Sequence, residues 1–567
     1  MTLAADEPEA APERASPPPA SANSTRLVPL AERALVIACL GVMGILFLDM
    51  LTFGHGRDQG IYTLVGRTVL EGGMPYRDAW DFKPPGIFLI YALARLLFGS
   101  AEWGIRVVEI VGLALMSFGM VRLTRRWWGS GLIGLVAATI ATFIHAQLEF
   151  WHTAQPESFG GMLTIAALLC VPGVGPSGRP SHVATKARSF LLAGFLFGFA
   201  FLLKPPLVGG AAILALLPAW WETDPEKPTI ERLKAAARNL VRPSLLLAAG
   251  GAIPIVLCIA WFAARGALGD LYRVLFVFTP HYTALGWHGA TVTGMLYYAF
   301  TEWLQQYGSV PTVGLLLALG FGVGTKERPL VLLALGIVVV HLVGVAMQGK
   351  FFPYHYGATW PLTALCAALG YHALFQWARA RGALGLAGFA LFVLFVPFGR
   401  SATKDVPGSF LVRSEKRLAI AAAGFRDQRG LDELNSLCDV NIVALREVAN
   451  LLGQEVPANR PIFVWGFVPN LYDMADRASS TRYIYDIPQR VPWAKEEHRR
   501  ILMEDLRNRP PAAIVVQHYD VVAMVTGDGM GSADALTSFP ELQALLENQY
   551  TLVRTIDGFD VYREAAR

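Results

Sequence analysis

The sequence predicts a polytopic α-helical membrane protein of about eleven transmembrane helices that carries a C-terminal soluble α/β domain. Three observations predict it. The 567-residue chain is 54% hydrophobic and only 16% charged, where an ordinary soluble domain carries about 25% charged residues. Its apolar residues gather in repeated runs of roughly 17–22, each long enough to cross a hydrocarbon core of about 30 Å. From about residue 405 the pattern changes, and helical stretches alternate with short apolar strands.

In chain order, residues 1–30 are Pro/Ala/Ser-rich and predict a disordered, cytoplasmic N-terminus. The first apolar run has full spanning length and no small-residue cleavage site, so it reads as a retained helix rather than a signal peptide. The predicted spans are 34–52, 103–122, 129–147, 157–174, 189–203, 206–221, 244–264, 307–324, 329–347, 357–377 and 383–399. Lys and Arg concentrate in alternate connections: Arg125 and Arg126; Arg179, Lys186 and Arg188; Lys227 to Arg242; Lys326 and Arg328; Arg379 and Arg381. By the positive-inside rule these connections face the cytoplasm. Residues 53–102 then lie outside, and an odd number of spans also puts 401–567 outside.

Within 53–102, short helices are expected over 60–71 and 85–98, the second lying along the membrane interface. The segment 291–306 reads in the same way. In the tail, helices are expected at 413–428 and 494–508, and strands at 461–465, 482–485, 512–517, 549–554 and 559–562. Glu496 and Arg500 are expected to pair at i,i+4. Inside the spans, Arg106 and Glu109 stand three apart and are expected to neutralise each other.

Chemistry concentrates in the outer loops. A loop that merely joined two helices would need a handful of residues; 53–102 is long, charged, and rich in Gly and aromatics, and such loops carry function. Asp58, in a Gly-flanked turn at the membrane surface, can take a proton from an attacking hydroxyl; it reads equally as the N-cap of the helix that follows. Asp81 fits a turn role and can orient Lys83, and Asp78 reads as a turn residue. Lys83 and Lys204 each precede a Pro-Pro pair that stiffens the chain behind them, and a fixed ammonium at the outer boundary suits a phosphate. Snorkelling to lipid headgroups is the alternative. Arg265, Arg273, Lys350 and His355 are weaker candidates for the same pocket. Glu157, beside Pro156, is explained as well by helix capping as by chemistry.

Other classes lack support. No P-loop, GxSxG or HExxH occurs, and no Cys/His spacing suggests zinc. Of the five cysteines, four lie in apolar runs, and Cys438 is alone in the tail. No internal repeat or set of mid-membrane ionisable residues points to a coupled transporter. A lipid or glycan transporter, or a membrane scaffold presenting an outer domain, is the alternative reading.

The runs Asp58-Gln59-Gly60-Ile61-Tyr62, Glu71-Gly72-Gly73-Met74-Pro75-Tyr76-Arg77-Asp78 and Trp80-Asp81-Phe82-Lys83-Pro84-Pro85-Gly86 resemble the first periplasmic loop of the GT-C glycosyltransferases. The protein-mannosyltransferase and aminoarabinose-transferase-like branch is the nearest. The likeness continues in Gln155-Pro156-Glu157, Lys204-Pro205-Pro206, Lys350 to Tyr356, Phe463 to Gly466 and Thr481 to Tyr485. The resemblance implies a GT-C-like catalytic domain over 31–400, in a bacterial inner membrane, with loop 53–102 and the domain 401–567 periplasmic. It implies inverting transfer of a sugar from a polyprenyl-phosphate donor to a hydroxyl of an envelope glycan, lipid or protein. Asp58 would be the base or acceptor-orienting group, Glu157 a second acid, and Lys83 the donor-phosphate ligand, helped by Lys204, Arg273, Lys350 and His355. Tyr62, Tyr76 and Asp81 would line the pocket. Many relatives have Asp-Glu where this chain has Asp58-Gln59, which weakens any metal proposal; no metal or cofactor is implied. Membrane lipids are expected partners and nucleic acid is not.

Overall fold

A computed structural model describes residues 22–170, 187–221, 223–224, 226–306, 308–399, 408–437 and 439–565. The expected disorder over residues 1–21 and the solitary Cys438 lie outside the described residues; residues 22–30, also expected to be disordered, are corrected to helix, as the first turns of helix Ala22–Met50.

A helix stands at each of the eleven places where an apolar run predicts one. The series opens with α1 (Ala22–Met50), then the loop helices α2 (Arg57–Leu70) and α3 (Gly86–Phe98). It continues with α4 (Trp103–Trp128), α5 (Gly131–Gln147), α6 (Pro156–Cys170), α7 (Ala187–Leu203), α8 (Gly210–Trp221) and α9 (Thr229–Ala264). Helices Ser309–Phe321, Arg328–Gln348, Trp360–Arg379 and Gly382–Phe395 complete it. Four of them, Pro29–Met50 within α1, α4, α9 and Arg328–Gln348, are long and apolar enough to cross a membrane by length and composition. Close approach is built from small residues. Gly194 and Gly198 of α7 lie against the backbone of Leu247 and Gly251 of α9, where an added Cβ would collide.

The tail folds around a four-stranded sheet of β1 (Ile462–Trp465), β2 (Ala513–Gln517), β3 (Tyr550–Ile556) and β4 (Phe559–Glu564), in the order β1-β2-β4-β3. β1 and β2 are parallel and the other pairs antiparallel. Asp557-Gly558, both at positive φ, make the tight turn of the β3–β4 hairpin. Two tail expectations are corrected. Residues 482–485 form no ladder; Tyr483 makes one bridge to Trp80, whose N–H donates to the Arg482 carbonyl at 2.7 Å. Their aromatic pattern reflects packing on Trp80, with ring centroids 6.3 Å from Tyr483 and 5.9 Å from Tyr485. On helix Lys495–Asn508, Arg500 pairs forward with Glu504 at 3.6 Å, not back with Glu496.

Arg106 and Glu109 do pair, at 3.4 Å, and His145 Nε2 adds a 2.8 Å contact to the same carboxylate. The tail is tied to the helical part by a buried ionic clamp that the sequence reading did not foresee. Glu149 accepts from Arg413 at 2.6 Å and Arg417 at 2.5 Å, both on helix Phe410–Ala422. Three charges without water are tolerated only where they satisfy one another.

Candidate active site

The site begins at the N-terminus of α2. Gly56 is the N-cap, and its N–H donates to the side chain of Gln59 at 3.1 Å. The expectation that Asp58 caps this helix is therefore corrected: Asp58 sits inside the first turn, where the helix dipole favours a carboxylate. Gln59 is fully buried, and its amide nitrogen donates to the carbonyls of Phe150 at 2.8 Å and Thr153 at 2.9 Å. A carboxylate at 59 would face two carbonyl oxygens with no proton to offer, so Gln is the residue that this turn requires.

The stretch carrying Lys83 is held from three sides. Tyr76 donates its hydroxyl to the Lys83 carbonyl at 2.8 Å, and the Lys83 N–H donates to Asp81 at 3.1 Å. Asp81 is fully buried and also accepts the hydroxyl of Tyr485 at 2.6 Å. Pro84 and Pro85 follow and lead into α3. So constrained, Lys83 Nζ meets Asp58 Oδ1 at 2.8 Å, and lies 5.1 Å from the Tyr62 ring centre and 5.6 Å from that of Phe82.

A second pair stands beside the first. Glu157, at the start of α6, is ion-paired with Lys204, the residue before the second Pro-Pro. Tyr354 stands beside both: its ring centre lies 5.7 Å from Lys204 Nζ, and burial, with the Asp58 and Glu157 carboxylates near, holds its hydroxyl well above the ordinary tyrosine pKa. Tyr62 donates to Gln155, two residues before Glu157, at 3.1 Å. Asp58, Tyr62, Asp81, Lys83, Glu157 and Lys204 thus form one cluster.

Electrostatics distinguish the two lysines. Burial works against the Lys83 charge, but the carboxylates of Asp58 and Asp81 outweigh it and hold its pKa above the ordinary lysine value. For Lys204 burial wins over Glu157, and the pKa is lowered. Burial also pushes the Asp81 carboxyl upward, against the pull of Lys83 and the Tyr485 hydrogen bond.

The remaining candidates are more dispersed. Lys350 donates to the Met524 carbonyl and lies 4.6 Å from the ring centre of Tyr282, which itself stacks 4.5 Å from Phe82. Burial pushes its ammonium down to about 8. His355 is held neutral chiefly by burial, and its Nδ1–H donates to the Lys350 carbonyl. Arg273 is not brought into the cluster. It is 67% exposed and pairs with Asp270 at 3.5 Å, in a separate cleft on the far side of Tyr76 and Trp80. Asp78 has the turn role expected of it, accepting the Met74 N–H at 2.7 Å.

Sequence reasoning missed the part of the site that the tail supplies. Asn435 accepts the Gly54 N–H at 3.2 Å, and Asn470 donates to the carbonyls of His55 and Gly56 at 2.9 and 3.2 Å. Asp439, pushed up to about 6 by burial, accepts the Arg57 N–H at 3.5 Å. These residues hold the turn that aims Asp58, while Tyr485 holds Asp81 in the stretch that carries Lys83. They lie hundreds of positions away in sequence, and no spacing signals them. Among the described residues no cluster of His, Cys, Asp and Glu is arranged to hold a metal ion.

Residues 82–225 match the family model described as dolichyl-phosphate-mannose-protein mannosyltransferase. The structure of ArnT from Cupriavidus metallidurans bound to undecaprenyl phosphate is similar at a TM-score of 0.51 and 14% identity, covering 96% of this chain and 98% of that one. At that identity the likeness is one of fold. The archaeal oligosaccharyltransferase AglB from Archaeoglobus fulgidus, in complex with an inhibitory peptide and a dolichol-phosphate, aligns at a TM-score of 0.41 and 13% identity. It covers 84% of this chain and 69% of that one. No curated protein sequence matches at a significant level. The resemblance to the GT-C glycosyltransferases, to the branch that uses polyprenyl-phosphate sugars, is borne out by the family match and the fold, and the chain is a multi-pass membrane protein.

Proposed function

We propose that the protein is an inverting glycosyltransferase that moves a sugar from a polyprenyl-phosphate donor to an acceptor hydroxyl at the periplasmic face of a bacterial inner membrane. In this reading all eleven apolar helices cross the membrane, the N-terminus is cytoplasmic, and 401–567 forms a periplasmic domain. The observation that carries it is the 2.8 Å pairing of Asp58 with Lys83 beside the Glu157–Lys204 pair.

The chemistry needs a base and a cation within reach of one carbon. The acceptor oxygen bonds to the anomeric carbon as the bond from that carbon to the phosphate oxygen breaks; the acceptor proton passes to Asp58, and the electron pair leaves on the phosphate. Lys83 Nζ has three donors and places one on Asp58, so it can turn toward a phosphate while still steadying Asp58. Its raised pKa keeps it charged as the leaving group gains charge. Lys204, whose charge burial disfavours, would be stabilised by a phosphate beside it. Tyr62 and Tyr76 line or support the pocket, and Asp81 orients Lys83. Lys350 and His355 stand farther out, where they suit a donor tail or headgroup.

Reconstitution tests the reading. Given a polyprenyl-phosphate sugar and an envelope-glycan acceptor, the enzyme releases free polyprenyl phosphate, whereas a lipid or glycan transporter moves the intact substrate and releases none. Asp58→Asn should lower transfer ~10³-fold or more with unchanged folded yield, the range expected for a lost general base. Normal turnover in that variant would remove Asp58 from the chemistry.

A further inference from the structure

Between residues 268–281, Trp80 and the tail helix Lys495–Asn508 lies a cleft of about 220 Å³ that the donor chemistry does not use. Its floor is aromatic: Trp80 meets Phe278 edge-on at 4.8 Å, and Phe278 lies 5.7 Å from Trp493. Its wall carries the near-parallel rings of Trp493 and exposed His281, with centroids 6.1 Å apart and planes at 18°. The Trp493 indole N–H has no hydrogen-bond partner. Around these rings stand Asp270, Arg273, Arg482 and Glu497, two carboxylates against two guanidiniums.

That combination is selective. An acyl chain would strip water from the Arg273–Asp270 and Arg482–Asp505 pairs and from Glu497 without offering them a polar contact, and a phosphate would meet as much negative charge as positive. An uncharged polyol with one apolar face fits both parts, its C–H face against an aromatic ring and its hydroxyls on planar polar side chains. The volume is below the usual range for drug-sized ligands, about 300–1,000 Å³, and suits a single ring. Two packed rings, Trp80 and Phe82, separate its floor from the reactive pair. Trp80 lies 6.1 Å from Phe82, and Lys83 Nζ stands 5.6 Å from the Phe82 ring centre.

We propose that this cleft is a saccharide subsite, one that holds an uncharged sugar ring of the acceptor and so makes the acceptor a glycan. Trp493 and His281 supply the stacking face, and Asp270, Glu497 and Arg273 bond the hydroxyls. The proposal rests on the glycosyltransferase reading for its role, but not for its binding.

The test uses the full chain in detergent, with methyl hexopyranosides, methyl pentopyranosides, octyl phosphate and a Ser/Thr tetrapeptide as probes. Saturation-transfer NMR should detect at least one methyl glycoside and not octyl phosphate. Trp493→Ala should weaken glycoside binding about tenfold. Glu497→Gln, at an exposed position that leaves the fold intact, should weaken it about threefold. In transfer assays, both variants should raise the glycan-acceptor KM by similar factors while kcat at saturation stays within about twofold. Wild-type affinity in both variants, or binding of the peptide or octyl phosphate in place of the glycosides, overturns the subsite. A wild-type chain that binds glycosides but never consumes donor overturns the glycosyltransferase reading and leaves the subsite standing.

Discussion

The two Lys-Pro-Pro turns are the same device set to different ends. Each fixes a lysine against a carboxylate from another segment, Lys83 on Asp58 and Lys204 on Glu157. The Asp58–Lys83 pair keeps side-chain exposures of 16% and 17%, and Lys83 has a second carboxylate, Asp81, close by. Glu157 is only 1% exposed, and Lys204 faces it with no second acid bonded to it. The two lysines are equally sheltered, at 17% and 16% exposed; two acids around Lys83 outweigh its desolvation, whereas at Lys204 burial, with Lys83 opposing the charge, outweighs Glu157. Lys83 therefore holds its charge firmly, while the Lys204 charge has more to gain from a phosphate brought beside it.

This contrast can be broken in order of effect. Lys83→Ala should lower kcat/KM for the donor ~10²-fold, since it removes the cation that faces the leaving phosphate, and donor titration of turnover measures it. Lys204→Met should cost less, about tenfold, and chiefly in donor KM, because its charge is worth least before the donor arrives. Equal losses in the two variants would erase the distinction. Tyr485→Phe removes the hydrogen bond to Asp81 from the tail. Losing a hydrogen bond to a buried carboxylate should lower stability by about 2 kcal/mol and loosen Lys83, which a thermal shift together with a several-fold fall in turnover would report.

The smallest effect concerns pH. Lys350 is lowered to about 8 by burial against an ordinary value of 10.5. Between those values the unfolded chain holds a proton that the folded chain has released, so stability rises with pH across the window. Lys350→Met should flatten the rise in thermal midpoint between about pH 8 and 10.5; an unchanged slope would place the titration elsewhere.

Much of this was legible in the sequence, for physical reasons. Apolar runs of spanning length have few ways to fold, so helix positions followed from hydropathy. Loop 53–102 stood out because its charges have no place in hydrocarbon, and Pro-Pro marked both lysines as fixed. What was illegible depends on distant partners. Whether Asp58 caps α2 was decided by Gly56 and Gln59, and the strand-like 482–485 is a packing surface for Trp80. Arg273 carries the right charge on the expected side, but a local turn pairs it with Asp270. Asn435, Asp439, Asn470 and Tyr485 hold the first loop from the far end of the chain, and only folding brings them there.

The central claim is that Asp58 and Lys83 act as one unit on the donor and acceptor. A double-mutant cycle on donor kcat/KM, with Asp58→Asn, Lys83→Ala and the pair together, tests it most directly. The account predicts strong non-additivity, the double variant losing little more than the worse single variant. Losses that multiply in full would mean that the two residues act independently, and would contradict it.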